Sequence, residues 1–170
     1  MTTVCPKRSG GYRSRRTSLR FFDAKARWLS FGKCEIRQTQ YLDDAFSLVM
    51  NKDVPQVLTE RVVPGICRQS LEAACLEVVR RRRLNKGKPH SETEALFPTH
   101  TRLLPRLALA LYDDAEKAGE VYTVVKNRFG AWQADTVRIC NEGAHKGFAG
   151  DDPVKFVRNV EQLAETILNL

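Results

Sequence analysis

The chain has 170 residues, of which 42% are hydrophobic and 28% are charged, and its formal net charge is +8. This length and composition are typical of one globular domain that buries its core without disulfides or metals, with an appendage at most. No run of about 18 apolar residues and no apolar signal core is present, which excludes a membrane span and a secretory signal, so we expect a cytoplasmic protein.

The net charge is concentrated in the first 40 residues. They carry ten Lys and Arg residues against two Asp and Glu residues, whereas residues 41–170 carry 18 of each kind. Residues 1–20 are rich in Arg, Ser and Gly, so we expect residues 1–40 to form a basic, partly disordered arm. Such an arm predicts contact with nucleic acid, and a solvated tail without a partner is the alternative. The arginines expected to bind are Arg13, Arg15, Arg16 and Arg20.

An aromatic segment lies at residues 21–31, which contain Phe21, Phe22, Trp28 and Phe31. Its pattern fits either a strand pair with a turn at "FGK" or a short helix, and periodicity does not separate the two. The aromatic side chains indicate packing against the body or against a domain that this chain lacks.

Helical periodicity begins at about residue 41. The stretch "YLDDAFSLVM" predicts a short helix, "NKDVP" interrupts it, and a longer helical segment runs from about Pro55 to Leu84. Pro64 lies inside that segment, so we expect it to kink or divide the helix. Beyond this proline, apolar residues at spacings of three and four predict one buried stripe: Ile66, Cys67, Leu71, Ala74, Cys75, Val78 and Val79.

The helical pattern continues to the end of the chain. Ser91 predicts a capping box with the glutamate three residues later, and Pro98 breaks the pattern before "TRLLPRLALALY" resumes it. The pairs Asp113–Asp114 and Asp151–Asp152 are predicted helix caps, and a strongly amphipathic final helix follows. Residues 41–170 therefore predict an all-α bundle of four to five helices.

The cysteines and histidines give no sign of a metal site. No CxxC spacing occurs, and the three histidines do not cluster with cysteines at the spacing of metal ligands. We expect reduced, mostly buried thiols rather than disulfides or zinc ligands, and we expect no cofactor. The five cysteines are Cys5, Cys34, Cys67, Cys75 and Cys140.

The stretch "RICNEGAHKG" combines residues that are able to act on a phosphodiester. On a helix, Arg138, Asn141 and His145 share one face. A histidine transfers protons near neutral pH, an arginine stabilises charge that develops on a phosphate, and RNA supplies its own 2′-OH nucleophile. We therefore take these three as candidate catalytic residues with Glu142 as a supporting residue. The alternative is the polar end of an amphipathic helix.

Two further polar groups lie on the long helical segment. Arg68 and Glu72 are one turn apart, so they form either an exposed ion pair or a pair in which one member points toward another helix. In the second case Glu72 would orient Arg138 or His145. The run Arg80, Arg81, Arg82 and Arg83 forms a basic patch that predicts phosphate contacts, and a solvated helix end is the alternative.

Four parts of the chain resemble the HEPN superfamily of small helical bundles: "ICRQSLEAACLEVV", the leucine-rich middle, "VRICNEGAH" and the final helix. The likeness covers residues 55–170 and is closest to modules that prokaryotes fuse to or pair with ABC-type or SMC-like ATPases in phage defence. Many HEPN proteins are metal-independent ribonucleases whose signature is an arginine, a short spacer and a histidine. Arg138 and His145 match this signature. The resemblance implies RNA as substrate, an active site built across a homodimer, and an ATPase partner.

Three hypotheses about function follow. The first is a metal-independent ribonuclease or toxin. The second is a non-catalytic module that dimerises or docks onto an ATPase, which predicts an exposed apolar face on the final helix or on the aromatic segment. Ile139 favours this non-catalytic hypothesis, because catalytic HEPN relatives commonly place a polar residue directly after the arginine. The pair Gly143–Ala144 favours it as well, because it is similar to the corresponding end of non-catalytic relatives. The third is a basic-arm nucleic-acid binder. The chain also fits the separated C-terminal portion of a larger ATPase.

Overall fold

The computed structural model describes residues 33–148, 150 and 152–170. Every regular element in this part of the chain is helical, which confirms the all-α prediction. There are more helices than the four to five expected, because residues 90–129 form three short helices. The α-helices are α1 Lys33–Met50, α2 Gln56–Asn85, α3 His90–Thr99, α4 Leu103–Tyr112, α5 Val121–Phe129, α6 Ala131–Lys146 and α7 Pro153–Leu168, and a 3₁₀ segment spans Ala115–Glu120.

Helix α1 begins at Lys33, so the boundary between arm and bundle that was expected after residue 40 falls inside a helix. Gln38 is buried, and its backbone carbonyl accepts a 3.3 Å hydrogen bond from the Ser70 hydroxyl of α2. Helix α1 therefore belongs to the same compact unit as the later helices. The aromatic segment at residues 21–31 lies outside the described residues, as do Arg13, Arg15, Arg16 and Arg20.

Helix α2 packs against α1, α3, α4, α6 and α7. It runs without a break from Gln56 to Asn85, so Pro64 does not divide the helix, and the kink given as the other possibility stays a prediction. A proline inside a helix removes one backbone hydrogen bond, and the ring of Pro64 is buried next to Gly143 of α6. The predicted stripe beyond this proline is confirmed, with Ile66 half-buried and the other members buried: Cys67, Leu71, Ala74, Cys75, Val78 and Val79.

The aspartate caps are confirmed only in part. The Asp152 carboxylate accepts hydrogen bonds from two backbone N–H groups in the first turn of α7, and Asp114 accepts one from Glu116 in the 3₁₀ segment. Asp113 is not an N-cap, because it ends α4 in the left-handed conformation with a φ of 62°. The Asp113 carboxylate instead accepts a 2.9 Å hydrogen bond from Arg83 Nη1. Asp151 lies outside the described residues.

The predicted capping box at Ser91 is wrong. Helix α3 begins at His90, so Ser91 lies inside the helix and cannot be its N-cap, and no side chain caps the helix. The glutamate expected to reach back, Glu94, is bound to Arg80 of α2. Pro98 does not break this helix, which runs through it and ends at Thr99. An interhelical ion pair has therefore replaced the local cap that the sequence pattern predicts.

The final helix closes the bundle. Its apolar stripe faces the core and is buried: Phe156, Val157, Val160, Leu163, Ala164 and Ile167. None of the exposed large apolar side chains found in the described residues lies on this helix, and the aromatic segment, the other place where the second hypothesis expects an apolar face, lies outside the described residues. Four exposed apolar side chains lie where α1 leads into α2, at Met50, Val57, Leu58 and Val62, and two more are Leu84 and Trp132. None of the described helices has the length and apolar character needed to cross a bilayer.

Candidate functional site

Arg138, Asn141 and His145 all lie on the continuous helix α6. With 3.6 residues per turn, their Cα positions fall within about 60° of one another around the helix axis. Arg138 and His145 are exposed and Asn141 is half-buried. We call these three residues the α6 polar face. Ile139 packs against the hydrophobic core, which explains why an apolar residue directly follows Arg138.

Tyr122 of α5 is a further polar residue at this face, and the sequence analysis missed it. Its hydroxyl lies 3.4 Å from Asn141 Nδ2, which donates a hydrogen bond to it. Burial raises the pKa of Tyr122, and the negative charge of Glu142 raises it further, while the bond from Asn141 and the charge of Arg138 act in the opposite direction. The phenol is tied to this face by the hydrogen bond from Asn141. It lies 19 positions from Asn141, so helical spacing gives no signal for it.

The charged side chains at the α6 polar face and beside it form only exposed ion pairs. Arg138 Nη2 lies 3.5 Å from Asp135 Oδ1, and both side chains are more than half exposed. Glu142, the predicted supporting residue, lies 3.3 Å from Lys146 Nζ, one turn along the helix. Exposed pairs of this kind contribute about 0.2–1 kcal/mol each. A phosphate group can therefore displace Asp135 from Arg138 at little energetic cost.

Two glycines, Gly143 and Gly147, allow the C-terminal end of α6 to lie close to α2. A Cβ on Gly143 would lie 2.7 Å from Pro64 Cβ, so only glycine lets α6 approach α2 this closely. Gly147 follows the helix with a φ of 84°, and a Cβ there would lie 3.6 Å from the Glu60 carbonyl oxygen. These glycines therefore belong to the contact between two helices, and they fix the end of α6 that carries His145.

Glu72 points toward α4. It accepts a 2.7 Å hydrogen bond from Arg68 Nε in its own helix and a 2.5 Å bond from Arg106 Nη1 of α4. The described contacts therefore link Glu72 to two arginines, and none of them links it to Arg138 or His145, the residues that it was expected to orient. The interpretation of Arg68 and Glu72 as an exposed pair is wrong, because their side chains are only 19% and 14% exposed. Glu72 is the member of the pair that points toward another helix, as the alternative expected, whereas Arg68 stays paired within α2.

The described hydrogen bond and ion pair of Arg68 are both with Glu72 of its own helix. Burial raises the pKa of Cys140 well above its ordinary value, and the charge of Cys67 adds to this while that of Arg68 opposes it. Cys140 is about 160° around α6 from Arg138. No described hydrogen bond or ion pair joins Arg68 to the α6 polar face. Burial likewise raises the pKa of Cys67 to about 12, and these thiols and Cys75 are buried and free, as predicted.

The four consecutive arginines bind other helices. Arg80 donates two hydrogen bonds to Glu94 of α3, at 2.6 and 2.8 Å, and its guanidinium lies over the Phe97 ring. Arg81 donates to the Leu168 carbonyl at 2.6 Å, and Arg82 donates to the carbonyls of Ala110 and Leu170. These side chains are therefore bound to other parts of the bundle, although Arg81 is also exposed to solvent.

Arg83 is the most buried of the ion-paired arginines in this run, with 11% of its side chain exposed. It bridges Asp113 of α4 and Glu92 of α3, with N–O distances of 2.9 and 2.6 Å. Nucleic-acid binding by Arg80–Arg83 stays a prediction. Any such binding competes with bonds that hold four helices together.

The arrangement at the α6 polar face supplies one proton-transfer group, one cationic group and two neutral hydrogen-bonding groups. No three His, Cys, Asp or Glu side chains in the described part of the chain are grouped as a metal site requires. Comparisons with protein-family models, with curated proteins and with solved structures give no match, so the resemblance to HEPN proteins rests on the motifs of residues 55–170 alone.

Proposed function

We propose that this chain binds RNA and cleaves its phosphodiester bonds without a metal ion, in the manner of a cytoplasmic HEPN-type ribonuclease. The observation that carries the proposal is the α6 polar face. Arg138 and His145 are exposed there, and Asn141 between them is tied to Tyr122. These side chains are accessible to a polymer that cannot enter a closed pocket.

In the proposed reaction the 2′-oxygen of RNA forms a bond to phosphorus, and the bond from phosphorus to the 5′-oxygen breaks. The products are a 2′,3′-cyclic phosphate end and a 5′-hydroxyl end. His145 transfers one proton, either from the 2′-hydroxyl or to the departing 5′-oxygen. Arg138 stabilises the negative charge that develops on the non-bridging oxygens. Asn141 and Tyr122 orient the substrate by hydrogen bonds.

One histidine performs one of the two proton transfers, so a second group is needed for the other. The resemblance implies that two copies of the chain bring their α6 polar faces together, which supplies a second histidine. We therefore include a homodimer in the proposal. The resemblance also implies an ABC-type or SMC-like ATPase as partner. We therefore propose that such an ATPase regulates the ribonuclease in a phage-defence system.

The test incubates the purified full chain with RNA in EDTA and identifies the new RNA ends. We expect cyclic phosphate ends with wild type and a loss of about 100-fold or more in rate for His145→Gln, since general acid–base catalysis contributes this much. His90→Gln is the matched control, because His90 is 71% exposed on α3. Intact RNA with wild type, or equal cleavage by the two variants, would overturn the proposal.

A second pair of variants tests the arginine. Arg138→Gln should reduce the rate strongly, whereas Arg158→Gln, which removes the same charge from an exposed position on α7, should leave it unchanged. Equal loss in both variants would show that only the net charge matters. The molecular mass in solution, measured by light scattering, tests the dimer separately.

A further inference from the structure

An exposed lysine of α5, Lys126, lies beside the α6 polar face, and the reaction proposed above does not use it. Among the described residues, its side chain forms no ion pair and no hydrogen bond. We propose that Lys126 binds the backbone phosphate next to the one that is cleaved, so that the preferred substrate carries at least two phosphates. This inference rests on the proposed function, and it assigns a substrate contact to a residue outside the motif on α6.

Helices α5 and α6 fold back on each other at Gly130, the one residue between them. Gly130 has a φ of 115°, which glycine adopts readily and other residues rarely adopt. Tyr122 and Asn141 lie on either side of it, 19 positions apart, yet the Tyr122 hydroxyl is 3.4 Å from Asn141 Nδ2. The two helices therefore run in opposite directions. We call the line along which they meet, marked by Tyr122 and Asn141, the α5–α6 seam.

Lys126 and Arg138 face each other across this seam. Lys126 is one turn from Tyr122 and about 40° around α5, and Arg138 is one turn from Asn141 and about 60° around α6. Both turns lead toward Gly130, so the antiparallel pairing places Lys126 opposite Arg138. Tyr122 and Asn141 are half-buried, whereas Lys126 and Arg138 are exposed. The seam therefore has a neutral polar floor and a cation on each side.

The order of the side chains along the seam separates two phosphate positions. The Cα atoms of His145 and Arg138 are about 10 Å apart along the axis of α6. A phosphate that both of these side chains reach lies between them. Lys126 is level with Arg138, at the end of this interval that is farther from His145. The nearest further phosphate on the same strand is therefore the one that its ammonium group reaches.

The charges at the seam favour this role for Lys126. Arg138 is offset by Asp135 at 3.5 Å, and Lys146 is offset by Glu142 at 3.3 Å. Lys126 therefore carries the uncompensated positive charge among these five residues. An ammonium group on a flexible stem binds phosphate as a point charge. Contacts of this kind position a strand without reading its bases.

The first test measures binding of a single-stranded 2′-O-methyl oligonucleotide, which lacks the 2′-hydroxyl nucleophile. Lys126→Gln should weaken binding about two- to fivefold. It should also reduce the slope of log K against log salt by about 0.7, the contribution of one phosphate contact to a single strand. Lys126→Arg keeps the charge and should bind as wild type does. The matched control is Lys52→Gln, which removes the same charge from an exposed position in the turn between α1 and α2.

The binding test decides the inference whether or not the chain cleaves RNA. The inference is overturned if Lys126→Gln binds as wild type does, if Lys52→Gln weakens binding equally, or if Lys126→Arg fails to restore it. Absence of binding by wild type overturns it as well.

A cleavage test locates the second phosphate. The substrates are a dinucleotide with one phosphate and two deoxyribose trinucleotides that carry a single ribose in the first or the second position. The ribose fixes which phosphate is cleaved, so the other phosphate lies on its 3′ side in one trinucleotide and on its 5′ side in the other. Lys126→Gln should lower kcat/KM about two- to fivefold for one trinucleotide and leave the dinucleotide unchanged.

An equal reduction for the dinucleotide would overturn the inference, because the dinucleotide has no second phosphate. If wild type cleaves none of the three substrates, the proposed function fails and the binding test alone decides the role of Lys126.

Discussion

The backbone N–H of Phe148 donates a 2.6 Å hydrogen bond to the carbonyl oxygen of Glu60. In an uninterrupted helix this oxygen accepts from the residue four positions later, but that residue is Pro64, which has no N–H. The bond from Phe148 therefore satisfies the acceptor that the proline leaves open. It also ties the chain just beyond α6 to the first turns of α2, so the glycine-rich end of α6 and the proline of α2 form one structural unit.

Gly143→Ala should destabilise the protein. The added methyl group would lie 2.7 Å from Pro64 Cβ, so α6 or α2 must shift. Overpacking of this kind costs about 1–3 kcal/mol, which exceeds the gain in helix propensity of up to about 1 kcal/mol. Urea denaturation gives the free energy of unfolding. The control is Gly65→Ala, where nothing lies within 4 Å of the new methyl group, and this variant should be as stable as wild type or more stable.

Arg83→Gln should destabilise the protein more than Arg81→Gln. The first removes charged hydrogen bonds to Asp113 and Glu92 from a side chain that is 11% exposed. Losing bonds to charged partners costs about 1.5–3 kcal/mol. The second removes one bond to a backbone carbonyl from an exposed arginine and should cost less than about 1 kcal/mol. Equal urea midpoints for the two variants would contradict the structural role of Arg83.

The stability of the bundle should fall in acid. The hydrogen bond from Arg80 lowers the pKa of Glu94, and although burial opposes ionisation of Asp113, its bonds with Arg83 and Lys86 leave its pKa lowered as well. A carboxylate with a lowered pKa stabilises the folded state above its ordinary pKa of about 4, and this stabilisation is lost as the pH falls through the folded value.

Urea midpoints measured between pH 6 and pH 2.5 test this dependence. Wild type should lose stability below about pH 4. Arg83→Gln should show a weaker pH dependence, because Asp113 no longer has its main partner. Arg158→Gln, an exposed arginine for which no ion pair is found, should retain the wild-type dependence. A steeper dependence in Arg83→Gln than in wild type would contradict the assignment.

Tyr122→Phe should reduce RNA cleavage about three- to tenfold while leaving the fold intact, because it removes one hydrogen bond that orients Asn141. The side-chain amide resonances of Asn141 should shift in the same variant, and this readout does not depend on activity. Tyr112→Phe is the matched control, because the Tyr112 hydroxyl is buried without a partner. Cleavage should be unchanged in the control, and unchanged Asn141 resonances in Tyr122→Phe would contradict the proposed contact.

The sequence by itself determined the helical class, the buried stripe of α2 and the cap that begins α7. It also determined that Arg138, Asn141 and His145 share one face, because this follows from the repeat of a single helix. These features depend on residues that are close in sequence, so local patterns are enough to predict them.

Only the tertiary structure decided what those helices contact. The bond from Arg80 to Glu94 joins residues 14 positions apart, and that from Arg82 to Leu170 joins residues 88 apart. The hydrogen bond between Asn141 and Tyr122 also joins residues that are distant in sequence. So does the bond from Phe148 N–H to the Glu60 carbonyl, the acceptor that Pro64 leaves open. Side-chain periodicity shows which face of a helix is buried, but it carries no information about which distant segment covers that face, and this is why the arginine run resembled a solvated patch.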